Sequence, residues 1–271
     1  MDRVAGRRHR RRWPWVVLAV TLVLGAGFIA IWATTNRAQQ VTLRQAESRL
    51  HLSRDSSGTR RPAQGVYEYA GSGTERLSFP PLSQSEGPTI PGTVSMQGAN
   101  CWVLRLDYST HHWQTFDFCL HGGDVWETGG VTWQLFSIGP VDVSTTSTFT
   151  CLAGTMWLPG DLVVGRSTTS RCTGKSTSVK GETLSLGPCT YMGEAMLTVG
   201  HRQILAAHFE QQRVDSGAQT GSERYDIWIA AKTGLLLRFR QDIRLVSSSP
   251  VGKVTYTQSG TLHLASLTPE V

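Results

Sequence analysis

The strongest constraint on this chain is Trp15–Ala33, nineteen residues without a charge (WVVLAVTLVLGAGFIAIWA). As a helix rising about 1.5 Å per residue, it matches the ~30 Å hydrocarbon core of a bilayer. RRHRRRW, Arg7–Trp13, stands directly before it, and no second apolar run of that length follows residue 40. Positive charge beside one end of a span is held on the cytoplasmic side, so the sequence predicts the N-terminus inside and the bulk of the chain outside. Trp13, Trp15 and Trp32 fall at the two ends, where an indole favours the headgroup region. Gly25-Ala26-Gly27, inside the run, reads as a helix-packing site. A cleaved secretory signal is the competing reading. Its apolar region is usually only about 7–15 residues, and cleavage after Ala33 would put Ile31 where a small residue is wanted. Either way the body is exported. The sequence therefore divides into a basic tail 1–12, a transmembrane helix 13–33, a polar stalk 34–61 and an extracytoplasmic domain 62–271.

Charge follows this division. The formal net charge is +6, yet the tail carries +5 (six arginines against Asp2) and residues 36–61 carry +4 (six arginines against Glu47 and Asp55), leaving −3 for the remainder. The basic balance thus belongs to topology and to a segment beside the outer leaflet, and gives no support for a nucleic-acid partner. Within the stalk, Gln39–Leu52 fits a helix, while a partly disordered spacer is the plainer reading. Its arginines suit contact with anionic headgroups.

Beyond Pro62 the chain turns to Thr, Ser, Gly, Val and aromatic residues in short alternating runs broken by turn residues, which predicts an antiparallel all-β domain. Gly65–Ala70 and Thr74–Phe79 flank Gly71-Ser72-Gly73 as a hairpin, with Pro80-Pro81 and Gly87-Pro88 marking a loop. Cys101–Cys119 (CWVLRLDYSTHHWQTFDFC) forms the clearest hairpin. If opposed positions sum to 220, Cys101 faces Cys119, Trp102 meets Phe118 and Leu104 meets Phe116, with Val103 opposite Asp117 and Arg105 opposite Thr115. A one-residue slip would lose both the apolar face and the sulfur pair. The exported location permits the disulfide.

Of the other three cysteines, Cys151 and Cys172 each end or lie in a candidate strand and are expected to pair, leaving Cys189 as a buried thiol; Cys172–Cys189 is the alternative. Residues 130–139, 179–186, 194–199 and 203–213 continue the strand pattern, the last also fitting an amphipathic helix. Gly200-His201-Arg202 is a turn. Residues 223–230, the turn 231–234 and 235–245 make a second hairpin. Leu235, Leu237, Phe239, Ile243 and Leu245 share one face of it, and Leu236, Arg238, Arg240, Asp242 and Arg244 the other. About a dozen strands result, and such a sheet must curl, split into a sandwich or wrap around something. The expected fold class is all-β: a large, curved, mainly antiparallel sheet, half-barrel or sandwich, stapled by disulfides.

GVYEYAGSGTE, CWVLRLDY…HWQTFDFC, MLTVGHRQILAAHF and YDIWIAAKTGLLLR…SPVGKVTYTQSGTLHLASLTP together resemble uncharacterised membrane-anchored envelope proteins of actinobacteria, over roughly residues 62–269. The YDIWI…TGLLLR hairpin is also distantly similar to lipoprotein-carrier half-barrels of the LolA and LppX type. That resemblance implies a curved sheet around an apolar cavity for acyl chains. The chain departs from it in having no lipobox cysteine and no clear cavity-plugging helix.

Sequence signatures of catalysis are missing: no GxSxG, GxxxxGK[ST] or HExxH occurs. His111-His112 with His121 and Asp124 is the best metal candidate by composition, though neighbouring histidines near a hairpin tip read first as a solvated turn. No catalytic, cofactor-binding or metal residue is assigned. The stripe Trp102, Leu104, Phe116, Phe118, with Leu235, Leu237 and Phe239, is either packed core or the lining of an apolar ligand groove. The expected role is non-catalytic binding of envelope lipid, lipoprotein or an envelope protein by a membrane-anchored domain. A closed scaffold or interaction module is the first alternative, an envelope hydrolase with an unrecognised site the second.

Overall fold

The computed structural model of the protein describes residues 38–50, 60–138, 141–152, 155–249 and 252–270. The expected tail 1–12 and transmembrane segment 13–33 lie outside these. Among the described residues no helix is long and apolar enough to cross a membrane.

A short helix, α1 (Leu43–Glu47), precedes the strands β1 (Gly65–Ser78), β2 (Pro81–Glu86), β3 (Thr89–Gln97), β4 (Cys101–Ser109), β5 (His112–His121), β6 (Asp124–Ile138) and β7 (Val141–Cys151). After them come β8 (Met156–Leu158), β9 (Ser167–Ser176), β10 (Glu182–Val199), β11 (Arg202–Gly217), β12 (Gln219–Ala230), β13 (Leu236–Ser249) and β14 (Gly252–Leu264). Ala38–Phe136 and Val143–Val271 form one compact unit. Ser137–Asp142 groups outside it; there Ser137 Oγ donates to Asp142 Oδ1 at 2.7 Å.

The first strand pairs with the last. Nine residues of β1, Tyr69 to Leu77, run antiparallel to Leu264 to Tyr256 of β14. With that seam made, the order β1-β3-β4-β5-β6-β7-β9-β10-β11-β12-β13-β14 returns to β1 as a closed barrel of twelve strands. β2 pairs with the far half of β1, and β8 with the start of β6. The expected half-barrel or sandwich is therefore corrected to a closed barrel. Its closing contact joins residues nearly two hundred positions apart, and local alternation carries no sign of such a pairing.

The hairpin register holds as derived. Cys101↔Cys119, Trp102↔Phe118, Val103↔Asp117, Leu104↔Phe116 and Arg105↔Thr115 are all paired, and the rule runs on to Asp107↔Trp113 before a bulge at Tyr108. Disulfides join Cys101 to Cys119 and Cys151 to Cys172, and Cys189 is free and buried. Residues 203–213 lie in β11, a strand and not a helix.

Three local readings change, the first being that the stretch expected as a loop between Pro80-Pro81 and Gly87-Pro88 is strand β2 paired to β1. Gly71-Ser72-Gly73 is no turn, because β1 runs straight through it. A Cβ at Gly71 would lie 2.4 Å from Thr261 O, and one at Gly73 2.2 Å from Glu86 Oε2. These glycines admit neighbours to the strand instead of bending it. Leu236 does not share the wet face with Arg238 and Arg240. A register shift pairs Trp228 with Arg238 but Ile229 with Leu236, so Leu236 and Leu237 are both buried.

The stalk is also different where it is described. Residues 38–50 lie on the barrel: Gln39 and Thr110 exchange backbone and side-chain bonds, Val41 and Ala46 are buried, and α1 is capped by a Thr42–Gln45 capping box. Arg49 then reaches buried Asp107 at 3.2 Å. Farther on, the Arg60 guanidinium donates to the carbonyls of Gly123, Pro159 and Gly160.

Peptide mapping without reductant should return the Cys101–Cys119 and Cys151–Cys172 links, with Cys189 alkylated only after denaturation. Burial pushes its thiol up to about 12, against the opposing charge of Arg213. Replacing Cys101 and Cys119 by Ser should lower stability by about 2–3 kcal/mol in a denaturant titration, the loop-entropy value for a link across this separation.

Candidate functional site

The bore of the barrel divides into an apolar part and a polar part along its strands. β4 supplies Trp102, Leu104 and Leu106 and then Tyr108; β12 supplies Glu223 and then Tyr225, Ile227 and Ile229; β13 supplies Leu237, Phe239 and then Gln241. Antiparallel neighbours thus put apolar residues with apolar, and polar with polar.

The seven side chains expected as core or ligand lining, Trp102, Leu104, Phe116, Phe118, Leu235, Leu237 and Phe239, are all buried in one apolar cluster. They meet one another. Trp102 and Phe118 have ring centroids 5.7 Å apart, Phe118 and Trp157 4.9 Å. Phe116 of β5 and Phe239 of β13 stand five strands apart around the ring, yet their rings meet edge to face at 6.0 Å. Side chains from the two walls therefore touch through the middle. A hollow lined by Val163, Cys189, Tyr191 and Phe209 has a volume of about 10 Å³, room for one water and not for an acyl chain.

The polar part holds two charge networks. In one, Arg213 of β11 crosses to Glu127 of β6 at 2.6 Å, donates from Nε to Ser170 of β9 at 2.9 Å and lies 3.9 Å from Glu223 of β12. Tyr225 donates to Glu223 at 2.9 Å, and Ser185 donates to Asp215. Burial alone would lower the Arg213 pKa, but the charges of Glu127 and Glu223 outweigh it and raise it. Three carboxylates share one guanidinium, so not all of them ionise readily. Burial, followed by the charge of Asp215, raises Glu223 to about 7, against Arg213 and the Tyr225 bond.

In the second, His112 of β5 has turned fully inward. Its Nδ1 lies 3.0 Å from Glu86 Oε1 and 3.2 Å from Glu75 Oε1, and Tyr108 stacks on its ring at 4.7 Å. Burial would lower the His112 pKa, but the charge and bond of Glu75 and those of Glu86 raise it to about 10. Gln258 donates to Glu86 at 2.8 Å, and Gln134 and Tyr256 donate to Glu75 at 3.0 and 3.2 Å.

The candidate metal group of His111, His112, His121 and Asp124 is not assembled. His111 bonds Gln84 at the start of β5, whereas His121 stacks on Trp126 at the far end of that strand, beside Asp124. The histidine that matters was in view, but its partners were not: Glu75 and Glu86 come from strands whose alternation gives no sign of inward carboxylates. Glu127, Cys151 and Cys172 also converge, but the two sulfurs are spent on a disulfide and Glu127 on Arg213. Neither a family model, a curated protein nor a solved structure matches the chain.

Arg213→Met should destabilise by about 3–5 kcal/mol, because it strands Glu127 as an unpaired buried charge. The folded pKa of Glu223 lies above its unfolded value, so its protonation favours the fold; that contribution is complete below pH 4.5 and is lost as pH rises through about 7. Glu223 faces Arg213, Asp215, Glu127 and Tyr225. Glu223→Gln should accordingly flatten the fall in stability between pH 5 and 8 by roughly 1–3 kcal/mol in urea titrations. An unchanged slope would remove Glu223 from the account.

Proposed function

We propose that the chain is a membrane-tethered, extracytoplasmic interaction module that recognises an envelope protein through its outer surface. The observation carrying this reading is the filled bore. A carrier of lipid or lipoprotein acyl chains needs an apolar cavity, and the space such a cavity would use is taken by Phe116, Phe239, Phe118 and Trp157. Glu75, Glu86 and His112 do converge, but their complete burial keeps them from a substrate, so they give the hydrolase reading no open site.

The tether is the apolar run 13–33, with the basic tail 1–12 on the cytoplasmic side. Residues 38–50 are docked on the barrel, so the domain reaches back into the segment expected as a stalk.

On the outside, Met196 of β10 and Leu205 of β11 are directly paired and 58% and 46% exposed. The loop before β9 presents Val163 and Val164, 55% and 69% exposed, Val163 at the rim of the hollow over Tyr191 and Phe209 and Val164 near Gly193 of β10. Backbone bonds Gly165 N to Tyr191 O at 2.8 Å and Tyr191 N to Arg166 O at 3.0 Å fix that loop to the strand. Apolar side chains held rigidly in water are suited to a protein partner.

A photo-reactive residue at Met196 in the full-length chain, expressed in a cell that exports it, should cross-link to an envelope protein, and Leu205→Asp should abolish the adduct while the disulfide map stays intact. Discrete lipid released from the purified chain in native mass spectrometry would instead establish the carrier. A cysteine at Ser57 should react with an impermeant reagent in intact cells; reaction only after lysis would reverse the topology.

A further inference from the structure

Glu75, Glu86 and His112 come from three strands and share one point. Glu75 Oε1 and Glu86 Oε1 both face His112 Nδ1, and the three donor atoms lie within 4.8 Å of one another. One ring nitrogen has one hydrogen to give. Glu86 Oε1 takes it, at 3.0 Å. Glu75 Oε1 is buried 3.2 Å from the same nitrogen, so it can only share the hydrogen that Glu86 takes and has no donor of its own. Among the described residues no Lys or Arg forms an ion pair with either carboxylate. The cluster is therefore short of positive charge where water cannot supply it.

We propose that Glu75, Glu86 and His112 bind one divalent first-row metal ion, of the zinc or manganese kind. Two carboxylates and a neutral imidazole balance a doubly charged ion. The imidazole favours such a metal over Mg²⁺ or Ca²⁺, which take oxygen ligands. The spacing suits it as well. Donors about 2.1 Å from an ion are about 3.0 Å apart at right angles and about 3.4 Å apart at the tetrahedral angle zinc prefers, and the 3.0 and 3.2 Å found here fall within that range. On binding, the Nδ1 proton of His112 leaves and the ion takes its place.

The two carboxylates are held as a metal's outer shell holds its ligands, while His112 Nε2 has no hydrogen-bond partner among the described residues. Gln258 holds Glu86 Oε1, Gln134 and Tyr256 hold Glu75 Oε2, and Tyr108 fixes the imidazole plane. Gly73 leaves the space that Glu86 Oε2 fills, since a Cβ there would stand 2.2 Å from it. The three ligands are buried, so the ion would join β1, β2 and β5 away from bulk solvent, with a water completing its coordination. The inference does not depend on the partner-binding reading.

The test uses the full-length protein, freed of metal by chelator and titrated separately with ZnCl₂, MnCl₂, MgCl₂ and CaCl₂. One equivalent of zinc or manganese per chain should bind, with a rise in the thermal midpoint, and the latter two salts should bind at least tenfold more weakly. His112→Gln should lose the equivalent. Gln258→Met, which keeps all three ligands and removes the donor to Glu86, should weaken binding about 10–100-fold. If His112→Gln does not fold, the wild-type stoichiometry and Gln258→Met decide the matter. Wild-type protein that takes up no stoichiometric zinc or manganese overturns the proposal, as does a folded His112→Gln that still binds.

Discussion

A ring of twelve strands encloses more width than the eight that side chains fill with ease, and the rest of this structure depends on how that width is occupied. In the apolar part the answer is aromatic: Phe116 and Phe239 meet from distant walls, with Trp102, Phe118 and Trp157 packed around them. β8 contributes Trp157 and Leu158 as an extra inward piece that belongs to no position in the ring. In the polar part, long charged side chains do the spanning. Arg213 reaches four strands around to Glu127, a distance that no aliphatic residue bridges so economically. Burying such charges gives little net stability, since desolvation offsets the attraction. Their value lies in specifying which strands face one another.

Much of the fold was legible because some signals are local. In the Cys101–Cys119 hairpin, alternation and sulfur placement depend on the same register, so one stretch of nineteen residues fixes both. The Cys151–Cys172 link was one of two pairings the sequence left open, beside Cys172–Cys189, and the β7–β9 register decides it. Gly71 and Gly73 misled because glycine serves two ends, a bend or a close neighbour, and only the approaching Thr261 and Glu86 distinguish them. Leu236 misled because a bulge adds one residue to one strand and moves the alternation by one. Closure was out of reach, since the seam between β1 and β14 leaves no trace in either strand alone.

The candidate site was legible only in part. His112 could be named, but as a loop-tip residue, because two adjacent histidines suggest solvent. Its true setting depends on Glu75 and on Glu86, which the pairing of β2 with β1 sets opposite Gly73. Docking of residues 38–50 was likewise hidden: Val41 and Ala46 are too few to mark an amphipathic face, and Arg49 finds Asp107 only once β4 has formed.

The seam between β1 and β14 also sets an order of events. A chain synthesised from its N-terminal end presents Tyr69 long before its neighbour Leu264. Until then β1 can pair on one side alone, and the growing sheet has two open edges, each a template for another chain. Contacts of such long sequence separation form slowly. The two disulfides, by contrast, close within 18 and 21 residues and can form as soon as their hairpins emerge. Local staples first, circumference last: the barrel is most vulnerable as an unclosed sheet, and the pairing of β14 with β1 is what ends that interval.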